Sequence, residues 1–258
     1  MTEQEEQLLA VLQGMPFGKT KMKRIDFCFL QQTAGEQGCP AILGEAVESF
    51  AAGEAAGLCP ESDGISRLLA YLLRELLRNT PEHAGKTEAE FFCRYLPEGY
   101  YMAGVWDWGR GISGSLAQNP VHRREIEKGR EPLSYALQAG ISEAFSPGRT
   151  NPSEDPWANS GFGFYMMKEI CSACGGAFCL CSDGKALLTG ADRKEQYEVF
   201  SGFGTAAGFV IDGAEILSHP GIIAKTAAEG ERQARLTRAA FRKASAPSRG
   251  LMKQESGK

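Results

Sequence analysis

The chain has 258 residues, 43% of them apolar and 23% charged, and a formal net charge of −4. That length supports one domain with a sizeable core plus appendages. The composition is that of an ordinary soluble protein, and the net acidity argues against the whole chain holding nucleic acid by charge. The first residues, MTEQEEQLLAVLQ, carry neither a basic start nor an apolar secretion signal, and no apolar run reaches membrane-spanning length. A soluble, cytoplasmic protein without membrane partners is expected, and its eight cysteines read as reduced thiols.

In chain order, Glu3–Leu12 reads as a short helix, Arg24–Leu30 as a strand and Ala41–Ala52 as a helix. Gly57–Gly64, with Pro60, reads as a linker, so residues 1–60 are expected to form an appended segment with no assigned role. The next stretch organises the chain. Ile65, Leu68, Leu69, Leu72, Leu73 and Leu76 recur at helical spacing, which predicts a helix over Ile65–Ala84 with one apolar face. Arg67, Arg74 and Arg78 fall on the opposite face, where solvent is expected. Glu75 and Asn79 stand one turn apart at the border of the stripe, where a carboxylate and an amide would line a cleft beside the core. The simpler reading is the polar border of an amphipathic helix. Pro81 must kink or end that helix, because it removes a backbone donor and clashes with the Leu77 carbonyl.

Glu88–Leu96 and Tyr100–Asp107 read as strands joined by Pro97-Glu98-Gly99. The second runs into Asp107-Trp108-Gly109-Arg110-Gly111, which suits either a surface turn or a close backbone approach to a ligand with Asp107 as an acceptor. Ser113–Pro132 is polar, Leu133–Phe145 reads as a helix, and Ser146–Ser160 is a loop long for a compact domain. Gly161-Phe162-Gly163 opens a helix at Phe164–Cys174, where backbone N–H groups would face an anion or the glycines would simply turn the chain. Gly175-Gly176 stops that helix. Ala177–Ser182 reads as a strand, Asp183-Gly184 as a turn, and Glu198–Phe203 with Ala206–Ile211 as a second hairpin around Gly204-Thr205. Cys171, Cys174, Cys179 and Cys181 are clustered enough to raise a zinc site, against the simpler reading of cysteines packed as small hydrophobes. From Lys225 onward nine Lys and Arg face three Glu, and Ala227–Lys243 reads as a basic helix, more often solvated than a handle for nucleic acid or an acidic partner. Helices and antiparallel strands arrive in grouped runs, which predicts an α+β two-layer sandwich.

Four of these signals occur in a fixed order: Glu75-xxx-Asn79 on a helix, Asp107-x-Gly109-x-Gly111 after a strand, Gly161-x-Gly163 opening a helix, and Gly204-Thr205 before a strand. Over residues 63–211 the set resembles the gyrase, heat-shock chaperone, histidine-kinase and mismatch-repair ATPase superfamily, whose ATP site is the Bergerat fold. The resemblance implies a domain at 61–212, followed by a basic helical tail at 213–258, with ATP and Mg²⁺ as cofactors. It assigns Glu75 to the attacking water, Asn79 to Mg²⁺ through its side-chain oxygen, and Asp107 to the adenine amino group. Gly109 and Gly111 would let the chain pass under the nucleotide, Gly161 and Gly163 would meet the phosphates, and Thr205 would bridge to adenine. Residues 113–160 would form the lid, with Gly148 and Arg149 near the γ-phosphate.

The three histidines, His83, His122 and His219, lie within or after this module, which sets the resemblance against a self-phosphorylating histidine kinase. The stretch after Ile211 is short for the transducer domain of a gyrase-like ATPase. A stand-alone ATP-binding regulator with a protein partner is therefore expected, hydrolysing ATP slowly or phosphorylating that partner. The alternative is an interaction module that keeps the fold without nucleotide chemistry. Pairing of two copies through the N-terminal segment stays open.

Overall fold

The computed structural model describes residues 1–14, 22–35, 42–141, 161–191, 193–199 and 202–237. Seven strands form one sheet in which every pairing is antiparallel: β1 (Lys23–Asp26), β2 (Glu88–Tyr95), β3 (Tyr100–Asp107), β4 (Ala177–Ser182), β5 (Lys185–Gly190), β6 (Arg193–Glu198) and β7 (Thr205–Asp212). Their spatial order is β1-β2-β3-β7-β4-β5-β6, so the last strand of the chain sits at the middle of the sheet. Side chains alternate between its faces, as a pleated strand requires. In β7, Ala207, Phe209 and Ile211 join one core, while Ala206 and Val210 join a second on the other side. The fold is α+β, with an antiparallel sheet and its main helical layer on the first face.

The organising helix, α4 (Asp63–Asn79), starts at Ser62, whose hydroxyl accepts from Ile65 N. It lays Leu69, Leu72, Leu73 and Leu76 into the first core beside α8 (Gly163–Ala173). Each such leucine contributes roughly 1.5–3 kcal/mol of burial. The opposite face is not solvated. Arg74 is 0% exposed and Arg78 4%, because α3 (Leu43–Leu58) covers that face with Ala46, Val47, Ala51 and Ala55. Helix α3 begins later than Ala41, which lies outside the described residues, and runs through Gly53 and Gly57, so the expected linker contracts to Cys59–Ser62.

Other expectations are corrected by local chemistry. The strand at Arg24–Leu30 ends at Asp26, whose carboxylate accepts from Cys28 N and Phe29 N and starts α2 (Phe27–Ala34). The α-helical part of Ile65–Ala84 stops at Asn79, and Thr80–Ala84 form a π-helical turn containing Pro81, closed by Gly85. The polar stretch 113–132 holds helical turns, α5 (Gly111–Leu116) and α6 (Pro120–Glu127). Only α7 (Pro132–Ala136) of the expected helix Leu133–Phe145 is helical among the described residues, and 142–160 lie outside them. The expected hairpin at Glu198–Ile211 is absent: Glu198 ends β6, and β7 pairs with β3 and β4 instead. Two helices complete the described residues, the short α9 (Gly213–Ser218) and the longer α10 (Ile222–Thr237), the latter starting five residues before Ala227. The rest of the basic tail, 238–258, lies outside them.

The N-terminal helix α1 (Glu3–Leu12) is tied into the sheet. It opens with a capping box between Thr2 and Glu5. Leu8 and Leu12 then seat over a glycine pair, Gly104 and Gly208, that are cross-strand neighbours in β3 and β7. A Cβ on Gly104 would stand 3.0 Å from Leu12 Cδ2, and one on Gly208 3.1 Å from Leu8 Cδ1. The Trp106 indole donates to the Leu12 carbonyl at 3.2 Å, and Arg193 on β6 pairs with the buried Glu5. The first sixty residues thus contribute to both cores, through α1 on one face and β1 and α3 on the other.

Candidate functional site

Four stretches of chain meet in one cleft. The last turns of α4 supply Glu75 and Asn79; the stretch from the end of β3 to the start of α5 supplies Asp107 and Gly111; the turn into α8 supplies Gly161 and Gly163; and the start of β7 supplies Thr205. Seven of the eight residues named from the sequence line this cleft. Gly109 does not. Its Cα packs where a Cβ would stand 2.4 Å from both the Cβ and the carbonyl oxygen of Ala84, and Gly204 stacks on its other side. Gly109 therefore lets three backbones cross behind the site and does not itself line the ligand space.

Asp107 sits at the back of the cleft, 5% exposed. Gly109 N donates to its Oδ1 at 2.8 Å, and the Thr205 backbone, its cross-strand neighbour, also donates to the carboxylate. Burial is the larger effect and pushes its pKa up from 3.8 to about 6. A buried acceptor of this kind, ionised at neutral pH, suits a ligand that brings its own donor.

Glu75 is held from two sides. Its Oε1 accepts from Arg74 Nη1 at 2.8 Å and faces Arg78 Nη1 at 3.9 Å. Its Oε2 turns toward the start of α8, where a Cβ on Gly163 would stand 3.0 Å away. Asn79 donates its amide nitrogen to the Glu75 carbonyl at 2.6 Å, so its side-chain oxygen is the atom available to a cation. Helix α8 starts at Phe162 with no side-chain cap, so its first N–H groups open beside Gly161 and Gly163. Gly161 at φ +74° and Gly111 at φ +71° hold a left-handed backbone that favours glycine.

The end of α4 and the π-helical turn after it bring residues that the sequence reading did not place in the cleft. Arg78, Glu82 and His83 all line the cleft, and Arg78 Nε donates to Glu82 Oε1 at 2.7 Å. Burial opposes the Arg78 charge, but Glu75 and Glu82 outweigh it and raise its pKa, so it stays cationic. Burial raises the Glu82 pKa against the pull of Arg78. The only sequence signal for this arrangement was Pro81 itself, since a proline after Asn79 forces the chain off the helical path. From the 113–160 stretch, α5 brings Leu116, α7 Ala136 and the chain after α7 Ile141 to the wall, while Pro147, Gly148, Arg149, Pro152 and Pro156 lie outside the described residues.

The four clustered cysteines are divided by the sheet: Cys171 and Cys174 belong to one core, Cys179 and Cys181 to the other. Among the described residues no group of three or more His, Cys, Asp or Glu is placed to hold a metal. Comparison of the chain with models of known protein families, with curated proteins and with solved structures finds no match. Among the described residues no helix is long and apolar enough to cross a membrane.

Proposed function

We propose that this chain is an ATP- and Mg²⁺-binding regulatory protein with a Bergerat-type site, which hydrolyses ATP slowly or passes its phosphate to a protein partner. One observation carries the reading: Glu75, Asn79, Asp107, Gly111, Gly161, Gly163 and Thr205, spread over 131 positions, line a single cleft in the roles their chemistry allows. The residues fit the group. Asp107 is a buried acceptor for the adenine amino group, with Thr205 beside it. Asn79 offers an oxygen to a hard cation, and bound Mg²⁺ supplies charge neutralisation at the phosphate oxygens. The uncapped start of α8 and the Arg78 guanidinium face the same space, both suited to anionic groups. Glu75 Oε2, on the side away from Arg74, is the atom that orients or deprotonates water. His122 is buried and hydrogen-bonded to Tyr135 at 2.8 Å, which speaks against it as a phosphate acceptor.

The test is a pair of variants in Mg²⁺-dependent ATP binding and turnover. Asn79→Ala is expected to remove the Mg²⁺ dependence of binding, and Glu75→Gln to abolish turnover or phosphotransfer while leaving binding intact. Unchanged behaviour in both refutes the assignment. The Arg74–Glu75 pair favours one second reading, because a carboxylate oxygen already held by a buried guanidinium is engaged in structure and not in the cleft. In that reading the chain keeps the fold as a protein-interaction module without nucleotide chemistry, and its melting temperature responds to no adenine nucleotide.

A further inference from the structure

The turn between β4 and β5 does more than reverse the chain. Asp183 and Gly184 are its two central residues, at φ +54° and +76°, the left-handed pair that a type I′ hairpin needs. Asp183 is the only residue other than glycine with a positive φ among the described residues. Turn chemistry alone accepts asparagine or glycine there as readily. The side chain, however, reaches out of the hairpin. Asp183 Oδ2 accepts from Ser113 N at 3.1 Å and from Ser113 Oγ at 2.7 Å. Next to it, Ser182 Oγ accepts from Ile112 N at 3.0 Å.

Ile112 and Ser113 are the second and third residues of α5, whose N–H groups a helix normally satisfies from its own leading residue. Arg110 leads α5 and gives it no side-chain cap. Two side chains from 70 positions away take that place. The same Ser182 hydroxyl donates to the Gly204 carbonyl at 2.7 Å, and Gly204 N in turn donates to the Asp107 carbonyl at 2.8 Å. These bonds tie the start of α5 to the start of β7 and the end of β3, the places that bring Gly111, Thr205 and Asp107 to the cleft. The fit is close: a Cβ on Gly111 would stand 2.9 Å from Ser182 Oγ and 3.0 Å from Asp183 Oδ1. Ser182 is fully buried, and neither residue lines the cleft, so both act on it only through the backbone they hold.

We propose that Ser182 and Asp183 are positioning residues for the nucleotide site, capping α5 from outside the helix and so fixing Gly111 and Ile112 against Asp107 and Thr205. This rests on the nucleotide reading of the cleft. It is tested on the full chain by calorimetric titration of ATP with Mg²⁺ and by amide hydrogen exchange without nucleotide. Asp183→Gly suits the turn and removes the cap, so it is expected to fold and to keep slow exchange along β4 and β5. Its affinity for ATP is expected to fall about fivefold, the usual effect of losing a helix cap, with faster exchange at the Ser113 amide. Asp183→Asn keeps a neutral acceptor and recovers most of both losses. Ser182→Ala, which frees Ile112 N and the Gly204 carbonyl, is expected to weaken binding further. Wild-type binding with equal affinity and equal exchange in Asp183→Gly leaves a turn and nothing more, and overturns the proposal alone. An equal fall in Asp183→Asn, without recovery, overturns it too. No binding of ATP by the wild type overturns the nucleotide reading and the proposal with it.

Discussion

At the scale of single residues, the chemistry of the cleft turns on two buried carboxylates held in different ways. Asp107 has burial against it and only backbone donors for it, so it keeps a proton up to about pH 6. At about 1.4 kcal/mol per pKa unit, holding it ionised costs the ligand-free fold about 2–3 kcal/mol. The sign follows from proton binding: between pH 3.8 and about 6 the folded chain holds a proton that the unfolded chain has released. Stability from this group is therefore present at low pH, lost as pH rises through that window, and constant above it. Asp107→Asn, which keeps an acceptor for Gly109 N, is expected to melt higher than the wild type at pH 8, with the gain vanishing near pH 4. Thermal melts at the two pH values check this, and an equal difference at both contradicts it. Glu75 is the opposite case, a buried carboxylate stabilised by Arg74, whose Nε also lies 3.6 Å from Glu48 on α3. Arg74→Met leaves that charge facing only Arg78, at 3.9 Å, and is expected to cost about 3 kcal/mol in denaturant unfolding, the low end for breaking a buried pair. Adding Glu75→Gln to it recovers most of the loss. Additive losses in that double-mutant cycle would show that the pair is not coupled.

At the scale of elements, α4 is caught between the sheet and α3, and its last turns deliver the cleft residues. The π-helical turn at Thr80–Ala84 then swings Glu82 and His83 to the wall and sets Ala84 against Gly109. On the far side of the sheet, α1 depends on the absence of side chains at Gly104 and Gly208. Gly104→Val would meet Phe92 Cε1 at 2.8 Å and Leu12 Cδ2 at 3.0 Å from the first added carbon. Overpacking of this kind costs about 1–3 kcal/mol, and here the yielding part is α1. The expected result is faster proteolysis near the N-terminus and red-shifted tryptophan emission, as Trp106 loses its bond to the Leu12 carbonyl. Unchanged emission and cleavage contradict the docking described here.

At the scale of the whole molecule, what could be read from the sequence follows from which signals are local. The apolar face of α4 and strands β2, β3 and β4 were legible because leucine spacing and short apolar runs bounded by glycine report burial directly. The burial of Arg74 and Arg78 was not, because the covering face of α3 is built from alanines that carry little hydrophobic signal. Strand β6, RKEQYE, was missed for a related reason: it is an edge strand, and charge there guards against stray pairing. In the cleft, Asp107, Thr205 and the glycines stood out because they sit where elements begin and end. Arg78 reaches the cleft from the last turn of α4, on the face that periodicity assigned to solvent, and Glu82 and His83 arrive through a proline-forced turn whose direction no periodicity encodes.

The central claim is that the cleft recognises an adenine nucleotide through Asp107, and calorimetric titration of ATP with Mg²⁺ into the wild type and Asp107→Asn tests it most directly. The account predicts saturable one-site binding by the wild type, weakened in the variant by about 1–3 kcal/mol, the usual cost of losing a buried charged acceptor. The same variant is predicted to be the more stable protein at pH 8, so loss of affinity cannot be ascribed to unfolding. Equal affinity in the two proteins, or no heat of binding in either, contradicts it.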